Sequence, residues 1–531
     1  MTHLSFRKPI EVDPQGRALN IALFTGGRPH MRALHFSWLS FLTAFTAWFA
    51  VPPLIPAITK DLHLTLTQIA DSNISAVSAT IVARLITGPL CDRFGPKRVM
   101  ATILLLGSIP TICISFIQTG TELIIVRFFI GILGSTFVPC QFWTTQMFAP
   151  KLVGTANAIA GGWGNVGGGL VYILMPQFYN LLALGLVNHY AWRIAFIFPA
   201  LFCIIMAFLD YRFADDYPHG DWSNMEPKQN HSSSTSVIDL ETSQISRSHS
   251  SATTNSSMTI TSSDMINSNN NCNDNDLKSC INTNISQESK TPYASKTESH
   301  NDIDEGVIEV TKATTMDAIK SFFWSLKDIN VIILCIQYAC SFGVELALDN
   351  IIGMFFFTSF GLNQTISGLI GSIFGLMNIF SRASGGLIAD LTSKLFGHSL
   401  EGRLLAHFGI HLLEGITLLI FSFVTHSLSS SIIVMIFFSY FVQATCGTTY
   451  AVVPFLTGSR IGSNSGLIGA GGSLGGLIFS FVFKAYATNY VLAFRTLGIV
   501  VICSSLLTLV LRVQNHNIWG LYRIINHRST N

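Results

Sequence analysis

Arg84-Leu-Ile-Thr-Gly88-Pro-Leu-Cys-Asp92 returns 298 residues later as Arg382-Ala-Ser-Gly-Gly386-Leu-Ile-Ala-Asp390. Both stretches read R-x-x-x-G-x-x-x-D at the end of an apolar segment. On an α-helix eight residues rise about 12 Å. With each Asp at a membrane surface, each Arg sits well inside a hydrocarbon core about 30 Å thick. A charged side chain at that depth costs several kcal/mol and marks a functional site by default. A lone intramembrane Arg is also explained by pairing with a helix-end carbonyl or carboxylate. Two at equivalent places in two halves point instead to a paired cationic site for an anion.

Composition sets the class. Apolar residues make up 49% of the chain and charged residues 11%, with 40 Phe and a mean hydropathy of +0.47. Soluble domains carry about 25% charged residues, so an all-α integral membrane protein is expected. The first 32 residues hold Arg7, Lys8, Arg17, Arg28 and Arg32 without an apolar core segment, so no cleavable signal peptide is expected. The ten cysteines are scattered without metal-ligand spacing and read as small packing residues. No metal, cofactor or nucleic-acid partner is expected.

About twelve windows are long enough to span a bilayer. Spans 1 to 6 are expected over 34–58, 72–91, 99–117, 122–143, 153–178 and 191–212. Spans 7 to 12 are expected over 331–357, 366–390, 404–426, 431–457, 464–487 and 490–513. The resulting organisation is an arm (1–33), a six-helix bundle (34–215), a central loop (216–325), a second six-helix bundle (326–513) and a tail (514–531). From His231 to Glu309 the chain is rich in Ser, Thr and Asn. Such a segment cannot bury enough apolar surface to offset its ordering entropy. It reads as a disordered linker, either a passive tether or a target of kinases. Arg93, Lys97, Arg98, Lys151, Lys394, Arg403, Arg460, Arg512 and Arg523 fall on the side of the basic arm, and Lys60 is the clearest exception. That bias predicts cytoplasmic termini and a cytoplasmic central loop.

Gly88-Pro-Leu-Cys-Asp92-Arg93-Phe-Gly95-Pro-Lys97-Arg98 follows span 2. It resembles the G-x-L-x-D-R-x-G-R-K/R loop of the major facilitator superfamily, and Gly386-Leu-Ile-Ala-Asp390 is a degenerate copy in the second half. The resemblance implies a 6+6 transporter, two six-helix bundles about a pseudo-two-fold axis. It also implies that Asp92, Arg93, Lys97, Arg98 and Asp390 lock helix ends together in one transport state. A second repeat is rich in glycine: Ala160-Gly161-Gly162-Trp163-Gly164-Asn165-Val-Gly167-Gly168-Gly169 in span 5 and Gly469-Ala-Gly471-Gly472-Ser473-Leu-Gly475-Gly476 in span 11. Small residues let helix backbones approach closely, with Gly164-x-x-x-Gly168 and Gly472-x-x-x-Gly476 as the expected contacts.

The span 5 stretch resembles the signature of the nitrate/nitrite porters, a branch of that superfamily. Arg127-Phe-Phe-Ile-Gly131, Thr136-Phe137-Val-Pro-Cys-Gln141-Phe-Trp143, Trp192-Arg193-Ile-Ala-Phe and Ser341-Phe342-Gly343-Val-Glu345-Leu resemble its eukaryotic members. A large loop between spans 6 and 7 is typical of the fungal ones. The resemblance implies a nitrate and nitrite importer of the plasma membrane, acting as a monomeric unit among lipids. Its substrate site would be Arg84 and Arg382, with Phe45, Phe137, Tyr338 and Phe342 as aromatic walls and Asn165 as the signature amide. One departure stands out. The span 11 signature usually ends in Asn, and here Ser473 takes that place, a shorter donor.

The physics agrees with that assignment. Nitrate is a planar monoanion, and a guanidinium is planar, charged and forked. Aromatic faces above and below define a slot too thin for tetrahedral phosphate or sulfate. Uptake of a monoanion into a negative-inside cell costs about 2.3 kcal/mol per 100 mV, which cotransport with two protons turns into a drive. Arg127 matches a fourth-helix motif of proton-coupled superfamily members. Glu345 and Asp349 lie at i and i+4 on span 7, and Glu414 lies in span 9. Carboxylates in an apolar setting can carry protons reversibly, although Glu345 and Asp349 read equally well as helix caps at an external loop. His411 and Glu414 read as a local hydrogen bond. A nitrate/nitrite exchanger and a non-transporting sensor of the same fold are the alternatives, and nothing argues for an enzyme.

Overall fold

In the computed structural model, residues 10–222, 315–362, 364–456, 461–486 and 489–522 are described. The hydroxyl-rich segment 231–309, Arg460 and Arg523 lie outside them. Among the described residues, twelve helical segments are long and apolar enough to cross a membrane. In order they are His30–Leu62, Thr67–Phe94, Pro96–Phe116, Gly120–Met147, Val153–Ala183 and Asn188–Phe213, then Ile329–Phe360, Ile366–Leu395, Leu400–Val424, Leu428–Phe455, Ile461–Ala485 and Tyr490–Leu509. They correspond one to one with the twelve windows. Regular pairing of strands is absent among the described residues, where only isolated β-bridges occur.

Among the described residues, spans 1, 4 and 8 each carry a 3₁₀ turn within their length. Span 1 breaks before Pro52 and Pro53, which have no N–H to donate to the helix ladder, although Val51 before them keeps helical dihedrals. Span 4 tightens into a 3₁₀ turn over Gly131–Thr136, and span 8 does so over Met377–Ile379. Mid-helix 3₁₀ turns often mark functional positions. Here both lie beside the repeated arginines. At Gly131 the chain passes so close to span 2 that Thr80 Oγ1 donates to the Gly131 carbonyl at 2.6 Å.

The glycine repeats work differently from their expected register. Gly164 faces the Phe41 ring and Gly472 faces the rings of Tyr338 and Phe342, so both make room for aromatic side chains. The backbone approaches occur one position away. A Cβ on Gly471 would stand 2.9 Å from the Cys335 carbonyl oxygen, and Gly475 meets the backbone of Ala339. Between the halves, a Cβ on Gly88 would stand 2.6 Å from the Gly462 carbonyl oxygen, so span 2 and span 11 touch backbone to backbone.

The arm is more integrated than a basic extension. Ala18, Ile21 and Ala22 are fully buried. Ala18 N donates to the Met147 carbonyl at 2.9 Å, and Ala149 N donates back to Ala18 at 3.0 Å. The expected central loop is ordered at both edges. Thr315–Ser325 is a helix, and Trp222 is buried with Nε1 on the Arg93 carbonyl at 3.1 Å. Buried apolar residues set in polar sequence, Ala18, Ile21 and Ala22 in the arm and Trp222 at the loop edge, tie these segments down.

Candidate functional site

Arg84 and Arg382 are both completely buried where the two bundles meet. Span 2 packs on span 11 and span 8 packs on span 5, so each arginine is enclosed by a glycine-rich helix of the other half. Both guanidinium groups lie over one ring, Phe342, with centroid distances of 4.9 Å for Arg84 and 5.8 Å for Arg382. Arg84 also lies 5.3 Å from the Phe137 ring. Cation–π contacts strengthen when desolvated.

The hydrogen bonding of the two arginines is unlike. Arg84 Nε donates to the Gly134 carbonyl at 2.9 Å, a group exposed by the 3₁₀ turn of span 4. Its Nη1 donates to the Gly469 carbonyl of span 11 at 2.6 Å, and its Nη2 has no partner. Arg382 Nη2 instead meets Glu345 Oε2 at 2.6 Å, with both side chains 2% exposed. Its Nε donates to Asn378 Oδ1 at 3.2 Å, and Asn378 Nδ2 donates to Glu345 Oε1 at 2.7 Å. Glu345 is therefore not a cap at a loop; it is a buried counter-charge of Arg382. A buried pair is worth keeping only when its remaining hydrogen bonds are satisfied, and Asn378 satisfies them.

Aromatic rings fill the space between. Phe137 and Phe342 are parallel within 10° and 6.3 Å apart, while Tyr338 stacks on Phe342 at 5.3 Å and 3°. Tyr450 meets Phe137 edge-on at 4.7 Å and Tyr338 at 5.2 Å. A flat anion between two rings needs about 7 Å, twice an optimal non-bonded separation of about 3.5 Å. The Phe137–Phe342 slot has to widen slightly to accept one. Phe45 stands back from Phe137; the span 1 ring that reaches it is Phe41, at 5.5 Å. Asn165 Nδ2 closes on the Gly161 carbonyl of its own helix at 2.9 Å. The hydroxyls of Tyr338 and Ser473 are buried without partners. Buried donors left unpaired cost free energy, and here three of them, with Arg84 Nη2, come from spans 2, 7 and 11.

Phe41, Tyr450 and Asn378 were not singled out by sequence. In a chain with 40 Phe no local signal separates a site ring from a packing ring. The one available cue for Asn378 was its position one helical turn before Arg382.

A cavity of about 370 Å³ opens between the bundles toward the face opposite the termini. Asn73, Tyr172, Asp349 and Gly375 are among its walls. Asp349 thus lies one turn from Glu345, on the cavity. Arg127 is buried and donates to Ser72 Oγ at 2.9 Å and to Asn73 Oδ1, which is itself on the cavity wall. On the termini face the bundles are latched twice. Asp92 accepts from Gly462 N and Ser463 N, each at 2.9 Å, at the start of span 11. Asp390 accepts from Thr155 N at 2.5 Å in the first turn of span 5 and pairs with Arg403. Carboxylates suit helix N-termini. The basic residues of the loop take other partners: Arg93 lies over Phe94, Lys97 pairs with Asp221 at 3.0 Å, and Arg98 lines a lateral groove.

The Major Facilitator Superfamily model matches residues 37–480. High-affinity nitrate transporter 2.3 of Oryza sativa subsp. japonica is 32% identical over 486 residues, covering 91% of this chain and 77% of that protein. High affinity nitrate transporter 2.5 of Arabidopsis thaliana is 34% identical, covering 90% and 78%. The nitrate/nitrite transporter NrtP of Nostoc punctiforme is 29% identical, covering 88% and 89%. Among solved structures, the proton:xylose symporter XylE shares 11% identity at a TM-score of 0.56 over 90% of this chain and 94% of its own. The human organic anion transporter MFSD10 shares 12% at 0.51, over 91% and 100%. At such identities these two speak for the fold alone. Twelve membrane-capable helices, the matched superfamily model and relatives above 30% identity lead to one assignment: the chain is a multi-pass membrane protein of the nitrate/nitrite porter family within the major facilitator superfamily.

Proposed function

We propose that this protein imports nitrate, and nitrite with it, across the plasma membrane by proton-coupled alternating access, with the termini in the cytoplasm. The observation that carries this reading is the charge count of the buried site: Arg84 and Arg382 against one carboxylate, Glu345. One positive charge is left over with Glu345 ionised and two with Glu345 protonated, so the site favours an anion in either state. The unpartnered Nη2 of Arg84 and the hydroxyls of Tyr338 and Ser473 are donors waiting for an acceptor. Nitrate has three oxygens in a plane, and a forked guanidinium fits two of them at once.

Coupling follows from competition. Glu345 and an incoming anion both seek Arg382, and like charges cannot share it at close range. A proton delivered to Glu345 releases Arg382 to the anion. Asp349 on the cavity wall, one turn from Glu345, is the entry point for that proton, and the Arg127–Asn73 contact stiffens the same wall. With the Asp92 and Asp390 latches closed and the cavity facing outward, the site is loaded from outside. Binding draws the two bundles around the anion because it relieves the arginine charge only when both contribute. The latches then release toward the cytoplasm. The hydroxyl-rich segment 231–309 serves regulation by kinases and takes no part in permeation.

Nitrate-evoked current in a heterologous membrane tests the reading. Inward positive current that grows as external pH falls supports proton-coupled import. Electroneutral, pH-independent uptake that requires internal nitrite establishes exchange, and a silent protein that reaches the surface establishes a sensor.

A further inference from the structure

Away from the arginines, the core of the second bundle holds a polar cluster that the mechanism above does not use. His411 and Glu414 of span 9 are both completely buried. His411 Nδ1 stands 3.0 Å from Glu414 Oε2, and His411 Nε2 stands 2.7 Å from the Ser504 hydroxyl of span 12. The second carboxylate oxygen, Glu414 Oε1, is buried without a partner. His407, stacked on His411 at 5.7 Å, has both ring nitrogens engaged, with Thr448 at 2.9 Å and Gln337 at 3.2 Å.

Counting hydrogens shows what the cluster can hold. Ser504 Oγ also lies 2.8 Å from the Val501 carbonyl, so its single hydrogen has two destinations. When the hydroxyl donates to His411 Nε2, the imidazole hydrogen sits on Nδ1 and donates to a Glu414 carboxylate. When the hydroxyl donates to Val501, His411 Nε2–H donates to Ser504 Oγ. The contact between Nδ1 and Oε2 then needs one further hydrogen, carried by either atom. The two arrangements differ by one proton and by the rotation of one hydroxyl. In the first, a full negative charge is buried with one oxygen unsatisfied; the added proton removes that charge.

We propose that the His411–Glu414 pair, with Ser504, is a second proton-binding site of the transport cycle, exchanging its proton with Glu345. This rests on the proton-coupled reading above. Span 10 joins the two sites: Glu414 lies beside Thr445, and the next residue, Cys446, has its Sγ 3.5 Å from Glu345 Oε2. The other titratable groups facing the pair are Cys340 of span 7, Cys446 of span 10 and His407 on its own helix. In the exchange, a proton leaves the Glu345 carboxyl and arrives on the Glu414–His411 pair. Glu345 regains its charge and its bond to Arg382, and the pair loses its charge. Nothing else is consumed or released.

The test measures charge moved per nitrate, from current and isotope uptake in the same membranes, for the wild type, Glu414→Gln and His411→Gln. The expected result is net inward positive charge with each nitrate in the wild type, and electroneutral uptake that still grows on acidification in Glu414→Gln. His411→Gln gives the same loss and serves if Glu414→Gln does not reach the membrane. Wild-type charge per nitrate in either variant at normal surface level overturns the second site and leaves the proton-coupled reading standing. A wild type that moves no positive charge with nitrate overturns both.

Discussion

Arg84 and Arg382 occupy matching places in a sequence repeat, yet their surroundings are opposite. Arg84 is held by two backbone carbonyls, Gly134 and Gly469, and keeps one donor free. Arg382 is held by a carboxylate that is itself held by Asn378. A symmetric sequence repeat thus sits in an asymmetric site, with one arginine lacking a counter-charge and one paired with a carboxylate, which in the proposed cycle a proton neutralises. The lesson is that the sequence repeat accounts for the pair of cations, and span 7 for the difference between them, through Glu345.

The largest effect expected from this asymmetry is on Arg84. Arg84→Ala should lower saturable nitrate uptake about 100-fold or more, since truncating one member of a buried charge pair costs about 2–5 kcal/mol. Surface level should persist, because the carbonyls Gly134 and Gly469 lose only a donor. Arg84→Lys should rescue poorly, a point charge lacking the fork. Uptake with surface labelling measures both.

Arg382→Ala should behave differently. It strands the Glu345 carboxylate in the interior, at a cost of about 3–5 kcal/mol, so protein level should fall along with uptake. Adding Glu345→Gln to Arg382→Ala should restore the level and leave uptake absent. If both single arginine variants fold equally well, the asymmetry described here is not the one the protein feels.

Smaller changes are expected from the rings. Phe137→Ala removes one wall of the slot and should weaken nitrate uptake about 10-fold while admitting a tetrahedral monoanion such as perchlorate, a competition assay being the check. The loss of an aromatic contact with a cation, about 1–2 kcal/mol, sets that scale. Unchanged selectivity would place the discriminating surface elsewhere, with Tyr450 the next ring to vary.

The smallest effect lies outside the membrane, at Asp216. Its carboxylate accepts from Lys97 N at 3.1 Å and Trp222 N at 3.3 Å, and burial raises its pKa from the ordinary carboxylate value to about 6. The folded state therefore binds this proton more tightly than the unfolded chain. Stability from this group is greatest below the unfolded value near 4, falls as pH rises through about 6, and is flat above. Relative to Asp216→Asn, the wild type should lose about 2–5 °C of melting temperature between pH 5 and 7. A constant difference across that range would contradict the burial of the charge.

Much of this was legible in the sequence. The arginine repeat, the twelve apolar windows and the Asp92 and Asp390 termini all carry period or spacing, which a chain displays directly. The state of Glu345 was not legible, because spacing i to i+4 from Asp349 says which face it shares and nothing of how deep it lies. The 3₁₀ turns at Gly131 and Met377 were hidden as well, since glycine in a membrane helix serves close packing as readily as a break. The register of the glycine contacts was misread for a related reason. Gly164 and Gly472 admit rings from Phe41 and Tyr338, and only three-dimensional neighbours distinguish a ring from a backbone.

The most direct test of the central claim is calorimetric titration of the purified transporter with nitrate, in two buffers of different ionisation enthalpy at the same pH. The account predicts that nitrate binding to the wild type takes up protons, that Glu345→Gln binds nitrate without that uptake, and that Arg84→Ala does not bind. Nitrate binding to the wild type with no proton uptake, or saturable binding to Arg84→Ala, would contradict it.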